Sequence, residues 1–144
     1  MNYLANDEIP NGEILYRYCC PNAFPEGQFE IPVAIFRDNN KELSCDWHFF
    51  RPDPSTSYHV TEGKTRIIII SVCDAIRNPV NPSRSTQKIP EWHQEIIYNP
   101  VSAEDDLVHG SNIAHSLIIG LKKLPICEAL ALNSSWKDIS PKNG

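Results

Sequence analysis

Two short stretches of this 144-residue chain concentrate the side chains that could do chemistry. The first runs from Tyr98 to His115. It holds two histidines, three acids and, just ahead of an apolar run, Asn112. Asp105 and His109 are four residues apart, so on a helical turn they would share a face. The carboxylate would then orient His109 as a general base. The plainer alternative has Asp105 and Asp106 answering a helix dipole and His109 at the surface. His115 opens the apolar run. A histidine there is either a hydrogen-bonded packing residue or a base at a strand end, with Asn112 beside it.

The second stretch is Leu43 to His48. Trp47 and His48 could stack on a base or a sugar ring, or simply plug the end of a sheet. Asp46 reads as an assisting acid or as a turn cap. Cys45 has no flanking basic residue to lower its thiol pKa. Cys45 and His48 are the pair on which a zinc reading would rest, but the expectation is no metal. Outside both stretches, Arg17 stands between Tyr16 and Tyr18 and could hold a phosphate or carboxylate. The plainer alternative is an exposed strand arginine. His115, His109 and Asp46 are therefore the catalytic candidates. Arg17, Trp47, His48 and Asn112 are the substrate-contacting ones.

No P-loop, GxGxxG, HExxH, GxSxG or paired CxxC occurs. These absences argue against ATPase, dinucleotide-enzyme, zincin, serine-hydrolase and zinc-ribbon assignments that rest on those motifs.

The elements that must position these residues follow from patterning. Glu13 to Cys20 alternates like a strand. Residues 21 to 28 read as a loop. Phe29 to Phe36 contains Pro32, which demotes it to an edge strand or an extended segment. Glu42 to Trp47 reads as a short extended segment, and Ser55 to Thr61 as a short helix opened by Ser55. Thr65 to Cys73 carries Ile67-Ile68-Ile69-Ile70 without polar alternation, which predicts a strand buried on both faces. Asp74 to Arg77 fits one helical turn. Residues 78 to 90 form a long proline-containing loop.

Trp92 to Tyr98 and Ala114 to Ile119 read as strands. Ser102 with Asp105 has capping-box form. Leu124 to Ser134 is the clearest helix, with Pro125 in its first turn and Leu124, Cys127, Leu130 and Ala131 on one face. The expected fold is α+β: a strand-rich mixed or antiparallel sheet, one C-terminal helix and long proline-containing loops. No repeat or linker divides the chain, so residues 1 to 144 are expected to form one domain.

Composition agrees. Hydrophobic residues make up 41% and charged residues 22%, near globular averages. No window reaches the ~18 consecutive apolar residues of a membrane span, and the first residues lack the pattern of a signal peptide. A cytoplasmic protein with no membrane partner is expected. The five cysteines fit small buried hydrophobes in reduced form. The net charge of -5 gives no electrostatic reason for general nucleic-acid binding.

The chain resembles a family of small uncharacterised bacterial proteins. The likeness rests on Leu15-Tyr16-Arg17, on Leu43-Ser44-Cys45-Asp46-Trp47 after Phe36, and on Asn112-Ile113-Ala114-His115-Ser116-Leu117-Ile118-Ile119-Gly120 with Ala131 and Trp136. It draws attention to Asp46 and His115 without implying a reaction. The order of an Arg on the first strand and a Ser on a middle strand is also loosely similar to ADP-ribosyltransferase-like toxins. That likeness implies that Arg17 and Ser44 contact NAD, with Glu95 or Glu104 as catalytic acid. It adds Ser44 to the substrate-contacting set, and NAD is a cofactor only under it.

Three functions follow as expectations. The first is an interaction or accessory module that docks on another protein, in a defence or toxin–antitoxin-like context. The second is a His-dependent enzyme acting on a nucleotide or RNA. The third is the NAD-dependent transferase. Convergence of Arg17, Asp46 and His115 on one pocket would favour an enzyme.

Overall fold

The computed structural model describes residues 3–19, 31–37, 41–57, 60, 66–80, 88–107 and 110–137. Six strands form one antiparallel sheet: β1 (Ile14–Cys19), β2 (Glu42–Trp47), β3 (Arg66–Ser71), β4 (Glu95–Tyr98), β5 (His115–Ile119) and β6 (Ser134–Trp136), in the order β4-β5-β2-β1-β3-β6. Two helices join it, α1 (Asp74–Arg77) and α2 (Leu124–Leu132). The architecture is α+β with an antiparallel sheet.

Strand alternation gives the sheet two distinct faces. Leu15, Leu43, Cys45, Trp47, Ile68, Ile70, Ile96 and Ile118 occupy one face and are buried. With Ile76, Ile126, Cys127 and Leu130 from the helices and Phe36, they make the core. The opposite face carries Tyr16, Tyr18, Ser44, Asp46 and His115. Register brings Asp46 opposite both Tyr16 and His115, and Asn99 N–H donates to His115 O across the end of β4. Asn99, His115, Asp46 and Tyr16 thus form a single row across four strands.

Several elements differ from the sequence expectation. Val33–Phe36 is a 3-10 helix. Pro32 has no N–H to give a ladder, and its carbonyl accepts from Ile35 N instead. The helical turn after Pro52 covers Pro54–Thr56, and its cap is Asp53, whose carboxylate accepts from Ser55 N. Pro90–Trp92 is also 3-10, which delays β4 to Glu95.

In the β3 isoleucine run, Ile68 and Ile70 are fully buried while Ile67 and Ile69 are only partly so. The buried face of α2 consists of Ile126, Cys127, Ala129 and Leu130, and Leu124 is exposed. Its carboxyl end leads straight into β6, an edge strand too short to show a pattern. Ser102 and Asp105 do exchange the bonds of a capping box, but only turns follow. The expected 21 to 28 loop and much of the 78 to 90 loop lie outside the described residues.

Candidate functional site

β1 and β2 pair at Leu15–Trp47 and Tyr16–Asp46, and their pairing stops there. Beyond Tyr16 the strands part. Arg17 takes up the space: its Nη1 donates to Ser44 O at 2.7 Å and its Nη2 to Ile35 O at 3.4 Å. A guanidinium thus stands in for the missing ladder bond. The opening above it is a cleft of about 290 Å³, mouth included, lined by Arg17, Tyr18, Ser44, Cys45, Asp46 and His115. The three residues whose convergence would favour an enzyme meet there.

His115 is held by β4. Its Nδ1 lies 2.7 Å from Asn99 O and 3.1 Å from Asn99 Oδ1. A carbonyl only accepts, so Nδ1 carries a proton, and Nε2 is the nitrogen turned to the cleft. That nitrogen lies 3.2 Å from Ser44 Oγ, and in the neutral ring it is the acceptor. Ser44 is the diagonal neighbour of His115, two residues from its cross-strand partner Asp46, and diagonal partners on one face lie within reach of long side chains. Serine, histidine and a residue that fixes the imidazole therefore stand in sequence.

Asp46 serves a different purpose. It is 2% exposed, and a buried carboxylate must be paired and hydrogen-bonded. Asn112 Nδ2 donates to Oδ1 at 2.8 Å, and Tyr18 OH donates to Oδ2 at 2.8 Å. Arg51 Nε lies 3.0 Å from Oδ2. That N–H is poorly aimed and makes no hydrogen bond, so the contact is an ion pair only. Arg51 Nη2 also donates to Asn112 Oδ1 at 3.0 Å, which closes a ring of three side chains.

Local folding explains the ring. Arg51 N donates to Trp47 O, so one tight turn carries the guanidinium back over Asp46. Asn112 and Val101 exchange backbone hydrogen bonds, which clamps the mouth of the loop between them. Burial, and then the charge of Asp46, push the Tyr18 hydroxyl pKa far above its ordinary value. Tyr18 is thus a fixed donor to Asp46.

The remaining sequence candidates separate from the cleft. Trp47 is fully buried on the core face and donates from Nε1 to Glu13 Oε1 at 2.8 Å. It packs against Tyr3, Phe50 and Tyr98 instead of reaching a ligand. His48 is exposed past the end of β2, with Nδ1 2.7 Å from Tyr16 OH. His109 lies outside the described residues. Asn112 braces Asp46 beneath the site. Neither Glu95 nor Glu104 lines the cleft. Cys45 does, but burial pushes its thiol up to about 12. Among the described residues, no group of three His, Cys, Asp or Glu side chains is gathered to hold a metal ion, and no helix is long and apolar enough to cross a membrane.

Sequence reasoning missed Asn99 and Arg51. Asn99 carries a weak signal, since a residue before proline is held extended and can prolong a strand. No spacing links Arg51 to Asp46.

No family model, curated protein or solved structure matches this chain. The functional argument therefore rests on the site itself.

Proposed function

We propose that the protein is an enzyme in which His115 acts as general base on the Ser44 hydroxyl. The supporting observation is the series Ser44 Oγ, His115 Nε2, His115 Nδ1 and Asn99, with its contacts at 3.2 and 2.7 Å and its serine end at the cleft. Nucleophile, base and orienting group within hydrogen-bond reach are the signature of an activated hydroxyl. The reaction class is transfer or hydrolysis of an ester. As Ser44 Oγ bonds the electrophilic centre, its proton passes to His115 Nε2. The imidazolium returns that proton to the leaving oxygen as the old ester bond breaks. Water then releases the group from Ser44 through the same base. A placed histidine supplies roughly 10² to 10⁴-fold of rate in such steps.

A fluorophosphonate probe reports an activated serine directly. The expected result is labelling of the native protein at Ser44, lost in Ser44→Ala and reduced at least a hundredfold in rate in His115→Ala, with both variants folded. Absence of labelling in the native protein, or an unchanged rate in His115→Ala, overturns the proposal.

A second reading, docking onto another protein as an accessory module, draws on the exposed Leu4 and Phe49. Phe49 contacts Tyr3 and Phe50 in one aromatic group at the end of β2. A partner that co-purifies with the native chain and is lost with Phe49→Asp would favour it.

A further inference from the structure

We infer that the gap between β1 and β2 is an oxyanion-binding subsite, so the ester acted on carries a phosphate or carboxylate group that Arg17 holds. This rests on the enzyme reading for its place in a reaction, but the binding it describes stands separately.

The charge arrangement carries the inference. Among the described residues, the titratable side chains that bear on the cleft include Arg17, His115, Asp46 and, through Asp46, Arg51. Asp46 and Arg51 neutralise each other at 3.0 Å, and Asp46 accepts two further hydrogen bonds. His115 is neutral when it serves as base. Among the described residues, that leaves Arg17 without a facing countercharge. Among the described residues no carboxylate pairs with it, and its hydrogen bonds there go to two neutral carbonyls. Its Nε is buried with no hydrogen-bond partner.

A half-buried guanidinium in that condition is costly. It has five N–H donors and, among the described residues, spends two. An incoming oxyanion would use others and supply the missing charge, and the planar fork suits phosphate or carboxylate. The contact between Arg17 Nη1 and Ser44 O lies on the exposed side of the gap, next to the hydroxyl that His115 faces. An anion bound there would sit beside the reacting oxygen. The overall charge of -5 would disfavour anions at long range, so selection must be local and strongly salt-dependent.

Inorganic phosphate and acetate are the probes, titrated separately into the native protein and followed by amide and arginine Nε–H resonances. Arg17, Ser44 and His115 signals are expected to shift saturably. Tighter phosphate binding identifies a phosphoester, and tighter acetate binding a carboxylate-bearing ester. Arg17→Met should weaken the preferred anion at least tenfold, and Arg17→Lys should weaken it less. Anion binding that survives Arg17→Met overturns the inference. So does a native protein whose Arg17 and Ser44 signals respond to neither anion, a result that holds even if Arg17→Met fails to fold. Arg17-dependent binding in a protein that fluorophosphonate does not label would keep the subsite and remove the Ser44–His115 proposal.

Discussion

Asp46 and His115 are direct cross-strand partners on the same face of the sheet, yet each is held by a different set of groups. Asp46 is tied to β1 and to two loops through Tyr18, Arg51 and Asn112. His115 is tied to β4 through Asn99. The aspartate is saturated and immobile, whereas the histidine keeps one nitrogen for Ser44. The pair divides the work: Asp46 fixes the surface on which His115 and Ser44 meet.

Removing the Asp46 carboxylate should therefore damage the fold first. Asp46→Ala removes the carboxylate that pairs with Arg51 and accepts from Tyr18 and Asn112. Breaking a buried pair in this way costs about 3–5 kcal/mol. Urea unfolding measures it, and a loss below about 1 kcal/mol would show that the ring contributes little.

The chain should lose stability in alkali. Burial raises the thiols of Cys19 and Cys45 from an ordinary value near 9 to about 12, and it raises the Tyr16, Tyr18 and Tyr98 hydroxyls as well. The unfolded chain then releases these protons at lower pH than the folded one. The stabilisation is complete below about pH 9 and is lost progressively between pH 9 and 12. Urea midpoints at pH 8 and pH 11 check this, and equal midpoints would contradict it. By the same argument Cys19 and Cys45 should resist iodoacetamide at pH 8, and the part-exposed Cys73 should react before them.

Gly120 ends β5 where no side chain fits. A Cβ there would lie 2.5 Å from Gln94 Nε2 and 2.7 Å from His93 O. The Gln94 amide cannot swing away cheaply, because it donates to Trp92 O and Leu121 O and accepts from Lys122 Nζ. Gly120→Ala should cost roughly 1–3 kcal/mol, the usual range for overpacking. A thermal unfolding midpoint equal to that of the native protein would show that the backbone gives way freely.

The sequence discloses this molecule unevenly, for physical reasons. β2 could be bounded to the residue because Glu42–Trp47 lies between turn signals and alternates in character. The helical turn at Asp74 and the capping box at Ser102 are local events, written in neighbouring residues. By contrast β6 is three residues long, and only its partner β3 makes it a strand. The site candidates follow the same rule. Arg17, Asp46 and His115 stood out by type, but their convergence depends on strand order. The bracing by Arg51 depends on a turn whose geometry no periodicity records. Trp47 attracted attention as a stacking surface, but it faces the core because odd positions of β2 do.

Residues 6–9 run antiparallel along the outer edge of β4. Asn6 N donates to Tyr98 O, Tyr98 N to Asp7 O, and Ile9 N to Ile96 O, while Arg77 grips Glu8 and Asn11. These bonds cap what would otherwise be an open strand edge, the kind that recruits a second chain. The cap and the edge are separated by more than half the sequence, so it closes only after distant segments have met. Such contacts form slowly. During that interval the outer edge of β4 is open to a second chain, and crowding during refolding should give dimers joined there.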